Sequence, residues 1–340
     1  MAEAAVELRR GDQVESVARA DVAVVDSTGR LIAFVGDPDR TTYWRSSAKP
    51  FQAIPVVVSG AAERWGLLPD ELAAIASSHN GEPDQLARVR GLMERIGITP
   101  DDLVCGSHWP SDHESRDAMI RGFETPSALH NNCSGKHTGM LGLAVHLGAP
   151  IANYHEPEHA VQQAIARVIR LYAYGSERAR LVTGMDGCGV PTFYLSLSRM
   201  AWAYARLVDP RGIPEAEGRA GQVVAEAMRL YPEVVGGRDT IEVRLAKASG
   251  SRLMAKEGAE AVLCLGIPER GLGVAIKMDD GNPRTLPTVA AAVLALLGIF
   301  DEESNGRLLD MARSPIYNVA GREVGEMLPV FRLTRGQIAH

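Results

Sequence analysis

Three short segments of the sequence hold the residue types from which a serine nucleophile can be built. Ser46-Ser47-Ala48-Lys49, Ser78-His79-Asn80 and Lys256-Glu257-Gly258 follow one another along the chain, with the patterns S-x-x-K, S-x-N and K-x-G. A serine hydroxyl is a poor nucleophile near neutral pH, so it needs a base within hydrogen-bond reach, and a neutral lysine can be that base. The chain has only five lysines, and two of them lie in these segments. The segments therefore predict acyl transfer by serine–lysine chemistry.

The first segment opens a predicted helix. Pro50 fits the first turn of a helix, where a missing N–H costs little, and apolar residues recur at helical spacing over residues 51–58. This places Ser46 at or just before the helix N-terminus, with Lys49 one turn later on the same face. In our hypothesis Ser46 attacks a carboxamide carbon and Lys49, kept neutral by burial or a nearby cation, accepts its proton. Two alternatives stay open: a helix-capping serine beside a solvated lysine, and Ser47 as the nucleophile.

Two polar, glycine-rich loops each contain a cysteine, Cys133 in one and Cys188 in the other. Glycines permit tight turns and close approach of the backbone, and thiolates are soft ligands that suit zinc. One interpretation is a zinc site that His137 or Asp186 completes. The other is a pair of buried thiols beside a substrate loop.

The sequence predicts strands at both ends of the chain and helices in the middle. Predicted strands cover residues 14–25, 30–35, 261–267 and 271–278, and predicted helices cover residues 85–96 (capped by Asp84), 156–171, 198–207, 215–230 and an apolar segment from residue 288. We therefore expect an α/β (α+β) fold in a single domain over residues 1–340, with an antiparallel sheet lobe and an all-helical lobe. Small-molecule sites tend to lie in clefts, so we expect Ser46, Ser78 and Lys256 to converge in one between the lobes.

Composition and charge exclude several classes of protein. The chain of 340 residues is 46% hydrophobic with a formal net charge of −6, which favours a buried core and argues against a nucleic-acid binder. Its first residues lack the pattern of a signal peptide, and its most apolar run, residues 289–300, is too short to span a bilayer. We expect a cytoplasmic protein with neither membrane nor nucleic-acid partners, whose four cysteines form no disulfides.

Five blocks of sequence, in order along nearly the whole chain, carry a family resemblance. The blocks are Trp44-Arg45-Ser46-Ser47-Ala48-Lys49-Pro50, Ser77-Ser78-His79-Asn80-Gly81-Glu82-Pro83, Cys105-Gly106-Ser107-His108-Trp109-Pro110, Asn131-Asn132-Cys133-Ser134-Gly135-Lys136-His137 and Asp186-Gly187-Cys188-Gly189-Val190-Pro191. Together they resemble the asparaginase II family, the rhizobial-type or class 3 L-asparaginases. The resemblance implies a fold similar to serine β-lactamases and serine-dependent glutaminases, hydrolysis of L-asparagine to L-aspartate and ammonia, and a homodimer.

The resemblance also implies two catalytic serine–lysine pairs, Ser46 with Lys49 and Ser78 with Lys256. Direct membership of the β-lactamases is not expected, because Ser78 follows Ser46 by far fewer residues than in typical β-lactamases. The expected cytoplasmic location argues in the same direction against a penicillin-binding enzyme.

A zinc ion held by two cysteines and a lysine is a further implication of the resemblance. Its ligands map onto Cys133, Lys136 and Cys188, with Asp186 close by. A lysine binds a metal only as the neutral amine, so the metal must offset the cost of deprotonating it. We expect such an ion to orient the substrate loop rather than to generate the nucleophile, because a serine already fills that role.

Free asparagine brings an α-ammonium and an α-carboxylate, and four residues are candidates to bind it. Asp186 suits the ammonium, Arg45 suits the carboxylate through bidentate pairing, and Asn132 and His137 are further candidates. A glutaminase is the nearest alternative, because one methylene changes binding by only ~1–3 kcal/mol. A non-catalytic zinc-bearing sensor would keep the cysteines but has no need of both lysines, so their presence favours an enzyme.

Overall fold

The computed structural model of the chain describes residues 2–336, which form twelve β-strands and thirteen α-helices. The strands are β1 (Glu3–Arg10), β2 (Gln13–Asp26), β3 (Leu31–Val35), β4 (Thr41–Tyr43), β5 (Val182–Met185), β6 (Pro191–Ser196), β7 (Met254–Gly258), β8 (Val262–Ile267), β9 (Leu272–Met278), β10 (Ser314–Tyr317), β11 (Glu323–Pro329) and β12 (Thr334–Arg335). The helices are α1 (Lys49–Val58), α2 (Ala61–Arg64), α3 (Pro69–Ile75), α4 (Pro83–Ile96), α5 (His113–Arg121), α6 (Ser134–Leu147), α7 (Ala160–Tyr174), α8 (Leu197–Val208), α9 (Glu215–Leu230), α10 (Pro232–Val235), α11 (Ile241–Ser249), α12 (Leu286–Leu297) and α13 (Glu302–Ala312). Within residues 2–336, no helix has the length and apolar character needed to cross a membrane.

One compact unit is built on an antiparallel sheet. Its described residues are 2–47, 195–211 and 244–336. The strand order is β10-β11-β1-β2-β9-β8-β7, and β3 pairs with both β2 and β12. Every residue of β8 and β9 is buried, so both faces of the sheet are covered at these strands.

Helix α8 covers the sheet at β2 and β9, and a glycine allows the close approach. A Cβ atom at Gly273 would lie only 1.9 Å from the carbonyl oxygen of Ala201 on α8. Any side chain at this position would push the helix off the sheet, so the packing of α8 requires glycine here.

The other compact unit is mostly helical and comprises residues 48–194 and 212–243. Its apolar helix α1 packs against α6, α7 and α9. Phe51 on α1 meets the ring of Tyr172 on α7 edge-on, with ring centroids 5.4 Å apart. The same unit holds β5 pairing antiparallel with the part of β6 from Pro191 to Tyr194.

Much of the predicted secondary structure is confirmed. The strands near residues 14–35 and 262–278 and the helices near residues 198–207 and 215–230 lie within about two residues of their predicted bounds, the scatter expected at element ends. The apolar segment from residue 288 forms the buried helix α12. The mixed α/β class with an antiparallel sheet is also confirmed, but the lobe predicted to be all helical holds β5 and most of β6 as well.

Other predictions were wrong in instructive ways. Asp84 does not cap α4: Glu82 is the N-cap residue, and its backbone N–H is bound at 3.1 Å by the side chain of Gln85. The helix predicted to start at residue 156 starts at Ala160, because His159 takes the N-cap position and accepts from the N–H of Val161. Helix α8 lies in the helical middle of the chain but belongs to the sheet unit.

Candidate active site

Lys49 is buried at the start of α1 and donates hydrogen bonds to three oxygen atoms of the helical unit. Its Nζ lies 2.5 Å from the carbonyl oxygen of Ser77, 2.9 Å from Ser78 Oγ and 3.3 Å from the carbonyl oxygen of Asn132. The two carbonyl oxygens can only accept, whereas the hydroxyl of Ser78 can also donate. The structure therefore brings Lys49, which the resemblance pairs with Ser46, into direct contact with Ser78.

Ser46 and Ser47 lie in the 3-10 turn Arg45–Ala48, which runs directly into α1. Ser46 is half-buried. Ser47 is fully buried, and its Oγ donates to the carbonyl oxygen of Lys256 at 2.8 Å. A hydroxyl with no exposed surface cannot meet a substrate, so the structure removes Ser47 as an alternative nucleophile.

Lys256 lies in the middle of β7 in the sheet unit and is 1% exposed. Its Nζ donates to the carbonyl oxygen of Glu257 at 2.9 Å. Strand β7 was not predicted, and it is held by its antiparallel partner β8, in which Cys264 lies opposite Lys256. The sequence signal for this residue was the K-x-G motif alone.

Two thiols and a lysine amine meet where the Cys133 loop and the Cys188 loop come together. Lys136 Nζ lies 2.9 Å from Cys188 Sγ, and the thiols of Cys133 and Cys188 are both buried. Interaction with the Cys188 thiol, with help from the charge of Lys136, holds the pKa of Cys133 well below its ordinary value. Burial disfavours a charge on Lys136 and by itself would lower the pKa of this lysine. The two thiols and the carboxylate of Asp186 outweigh the effect of burial, so the pKa of Lys136 is raised.

This donor set, two thiols and a lysine amine, fits zinc. Within the described part of the chain, no group of three or more His, Cys, Asp or Glu residues is placed to hold a metal. Two sulfur atoms and one nitrogen nevertheless converge at Cys133, Cys188 and Lys136, and these are atoms that zinc prefers. The pair of buried thiols that the sequence left open as an alternative is present in the same place.

The candidate substrate-binding residues have different surroundings. Asp186 is partly exposed in the turn between β5 and β6, where its Oδ1 accepts from the N–H of Gly187. Asn132 is partly exposed beside Lys49, and its backbone N–H is bound by His108 Nε2 at 3.0 Å. Arg45 is half-buried and has a backbone φ of 53° in the sheet unit.

His137 was a candidate for a substrate contact, but its ring is fully buried. Its Nδ1 lies 2.6 Å from the hydroxyl of Tyr154, which also accepts from the backbone N–H of Val104. The tyrosine proton therefore points at His137 Nδ1, which makes that atom an acceptor. Burial, together with the charge of Lys136, holds the pKa of His137 well below its usual range. We assign His137 a structural role.

His79 is a buried neighbour of Ser78 in the chain. Its Nδ1 accepts from the N–H of Gly81, so Nε2 carries the proton and donates to Ser134 Oγ at 2.7 Å. Burial, then the charge of Lys49, lowers the pKa of His79 to about 3. This neutral ring links the Ser78 loop to the first turn of α6. Nothing in the spacing of the sequence indicated this link.

Comparison with known proteins identifies the family. The family profile described as L-asparaginase II matches residues 6–329, nearly the whole chain. The chain belongs to the L-asparaginase II family. It is therefore an asparaginase-type amidohydrolase, an enzyme acting on a small-molecule amide.

Two solved structures are similar to this member of the L-asparaginase II family. One is a β-lactamase from Mycobacterium bovis, at 14% identity and a TM-score of 0.41, covering 81% of this chain and 94% of its own. The other is a mutant of the class A β-lactamase of the last common ancestor of Gram-negative bacteria, at 17% identity and a TM-score of 0.40, covering 83% and 94%. No curated protein sequence matches the chain significantly.

Proposed function

We propose that this amidohydrolase is an L-asparaginase, which hydrolyses L-asparagine to L-aspartate and ammonia through a serine nucleophile activated by lysine. Membership of the L-asparaginase II family supports the reaction class. The observation that carries the serine–lysine chemistry is the hydrogen bond between Lys49 Nζ and Ser78 Oγ, 2.9 Å long, at a lysine buried among carbonyl oxygens.

In the proposed mechanism Ser46 is acylated. Its Oγ bonds to the side-chain carboxamide carbon while neutral Lys49 takes its proton. Ser78 gives a proton to the departing nitrogen and regains one from Lys49, so the C–N bond breaks and ammonia leaves. Water then attacks the acyl-enzyme through the same relay in reverse, which releases aspartate and restores Ser46. Lys256 is the second lysine of the proposal, which the family resemblance pairs with Ser78.

Recognition of a free amino acid is proposed to rest on charge. Asp186 binds the α-ammonium, Arg45 binds the α-carboxylate in a bidentate pair, and Asn132 contacts the amide. The partly exposed position of Asp186 in its turn supports its part in this assignment. Because these contacts require both charged groups of the substrate, amides that lack them should be poor substrates.

The proposal includes a zinc ion bound by Cys133, Cys188 and the neutral amine of Lys136, in a cytoplasmic homodimer. When bound, the ion supplies a fixed positive charge beside the Asn132 loop. The proton transfers are left to the serines and lysines. Zinc would thus order the loop that presents Asn132.

The test is ammonia release from asparagine, glutamine and a β-lactam side by side, with wild type, Ser46→Ala and Ser78→Ala. Ser176→Ala, in an exposed loop, is the matched control. We expect turnover of asparagine above the other two compounds, and a loss of at least ~10³-fold in both catalytic variants but not in the control. Equal or faster release from glutamine would make the chain a glutaminase. Near-normal turnover by Ser46→Ala would refute the assigned nucleophile, and no release from any compound would refute the function.

A further inference from the structure

A network of hydrogen bonds ties the turn that carries Ser46 to the strand that carries Lys256. The Oγ of Ser47 donates to the carbonyl oxygen of Lys256 at 2.8 Å. The hydroxyl of Tyr204 on α8 donates to the carbonyl oxygen of Ser47 at 2.7 Å. Both the side chain and the main chain of Ser47 are therefore held within the sheet unit, and both bonds are buried.

The turn needs such restraint because its backbone is unfavourable. Arg45, the residue before Ser46, has a φ of 53°, in the left-handed region that non-glycine residues rarely adopt. A conformation of this kind is strained and persists only where the surroundings enforce it. The two hydrogen bonds to Ser47 hold the backbone at the residue after Ser46. They are therefore placed to keep Arg45 in its left-handed conformation.

Strand β7 approaches the same turn so closely that a side chain at Gly258 would press against it. A Cβ atom at Gly258 would lie 3.0 Å from the carbonyl oxygen of Trp44, 3.1 Å from Ser47 Oγ and 3.2 Å from Ser47 N. On the next strand, Cys264 lies opposite Lys256 and is fully buried. The glycine of the K-x-G motif thus has a packing reason, which is contact with the Ser46 turn.

We propose that Ser47 is a positioning residue: it fixes the place of Ser46 relative to Lys256 and touches no substrate itself. This inference rests on the proposed function in which Ser46 is acylated. A displacement of about 1 Å at a reacting group costs on the order of 10²-fold in rate. Loss of the bond between Ser47 and the Lys256 carbonyl should therefore lower kcat and leave substrate affinity nearly unchanged.

The experiment compares wild type with Ser47→Ala, the conservative Ser47→Thr, Gly258→Ala and the control Ser249→Ala. Ser249 is also fully buried in the sheet unit, and its Oγ donates to a backbone carbonyl, that of Ala246. For each protein we would measure kcat and KM for asparagine and the unfolding temperature. The rate at which a fluorophosphonate probe labels Ser46, located by peptide mass spectrometry, gives a readout that does not depend on the substrate.

We expect Ser47→Ala to lose roughly 10- to 100-fold in kcat with KM within about threefold, and labelling of Ser46 to slow in proportion. Ser47→Thr should retain most of the rate, Gly258→Ala should resemble Ser47→Ala, and Ser249→Ala should keep wild-type kinetics. The inference is overturned if Ser47→Ala keeps kcat within twofold, or if Ser249→Ala loses as much.

The probe separates this inference from the proposed function. If wild type releases no ammonia yet labels Ser46, the asparaginase proposal fails and the positioning role is decided by the labelling rates alone. If the probe labels Ser78 and not Ser46, or labels neither, the positioning role is wrong even where asparagine is hydrolysed.

Discussion

Replacing Lys49 by methionine tests whether this lysine is the base. The methionine side chain has nearly the same length but neither charge nor N–H groups, so Ser77 O, Asn132 O and Ser78 Oγ all lose a donor. Two of these atoms are backbone carbonyls that are left without this bond. At about 1–3 kcal/mol for each unsatisfied buried group, the two carbonyls would lower the free energy of unfolding by about 2–6 kcal/mol.

A second effect opposes this loss of stability. Burying the ammonium of Lys49 costs several kcal/mol, and the methionine variant avoids that cost. We therefore expect the free energy of unfolding to change by no more than about 3 kcal/mol. The rate should behave differently, because a general base contributes roughly 10²- to 10⁴-fold, or about 3–5 kcal/mol of activation free energy.

The assay is steady-state ammonia release from asparagine together with urea unfolding of the same preparations. Lys277→Met is the matched control, since Lys277 is also buried and donates to two backbone carbonyls, those of Glu260 and Met278. We expect it to lose stability but keep kcat, while Lys49→Met loses kcat at least 100-fold.

Lys49→Arg guards against a folding defect, because arginine keeps charge and donors but does not deprotonate. It should fold and be as inactive as Lys49→Met. Retention of kcat within tenfold in either Lys49 variant would refute the assignment of Lys49 as the base.

Three further predictions concern stability and metal content. Burial and the charge of Lys49 depress the pKa of His79 from 6.5 to about 3. As the pH falls, the unfolded chain therefore takes up a proton at His79 before the folded protein does. The stability that the neutral ring contributes is complete above pH 6.5 and is lost as pH falls from 6.5 towards 3. Urea unfolding from pH 8 to 4 should show wild type losing up to about 1.4 kcal/mol per pH unit more than His79→Gln, and parallel curves would contradict this. Gly273→Ala should destabilise the protein by at least about 3 kcal/mol through contact with α8, whereas Gly306→Ala, in open space on α13, should be neutral or stabilising by up to about 1 kcal/mol; equal unfolding temperatures for the two would show the close packing to be wrong. Elemental analysis should find about one zinc per chain, lost in Cys188→Ala and in Lys136→Ala, and a metal content unchanged by both substitutions would rule out this ligand set.

Local patterns were enough to predict elements that depend on their own residues. Helix α9 was placed at Glu215–Leu230 because its apolar periodicity lies within the segment itself. Strand β1, which pairs with the adjacent β2 and with β11, was missed because its alternation is interrupted. Its pairing with β11 joins residues more than 300 positions apart, with Val6 opposite Pro329. Sequence patterns contain little information about pairings of that kind.

The candidate site divides in the same way. The spacing of Ser46 and Lys49 predicted a helix start, and the structure has a 3-10 turn that leads into α1 there. The contact between Lys49 and Ser78 spans 29 positions of sequence and depends on how α1 packs beside the Ser78 loop. Ser47 shows most clearly what the sequence could not predict. It was considered as a nucleophile, but its hydroxyl donates a hydrogen bond to the backbone of β7.

The surroundings of Lys49 allow it to change its charge without moving. As an ammonium it donates to Ser77 O, Asn132 O and Ser78 Oγ. As a neutral amine it has two N–H groups, which can stay on the two carbonyls, and one lone pair, which can accept from the hydroxyl of Ser78. The hydrogen bond to Ser78 then reverses its direction while both heavy atoms keep their places. A proton taken from a nucleophile can therefore leave through Ser78, which is what a relay to departing ammonia requires. If a third carbonyl stood in place of the Ser78 hydroxyl, the lone pair of the neutral amine would face an oxygen that can only accept. Three carbonyls would therefore favour the ammonium form of Lys49.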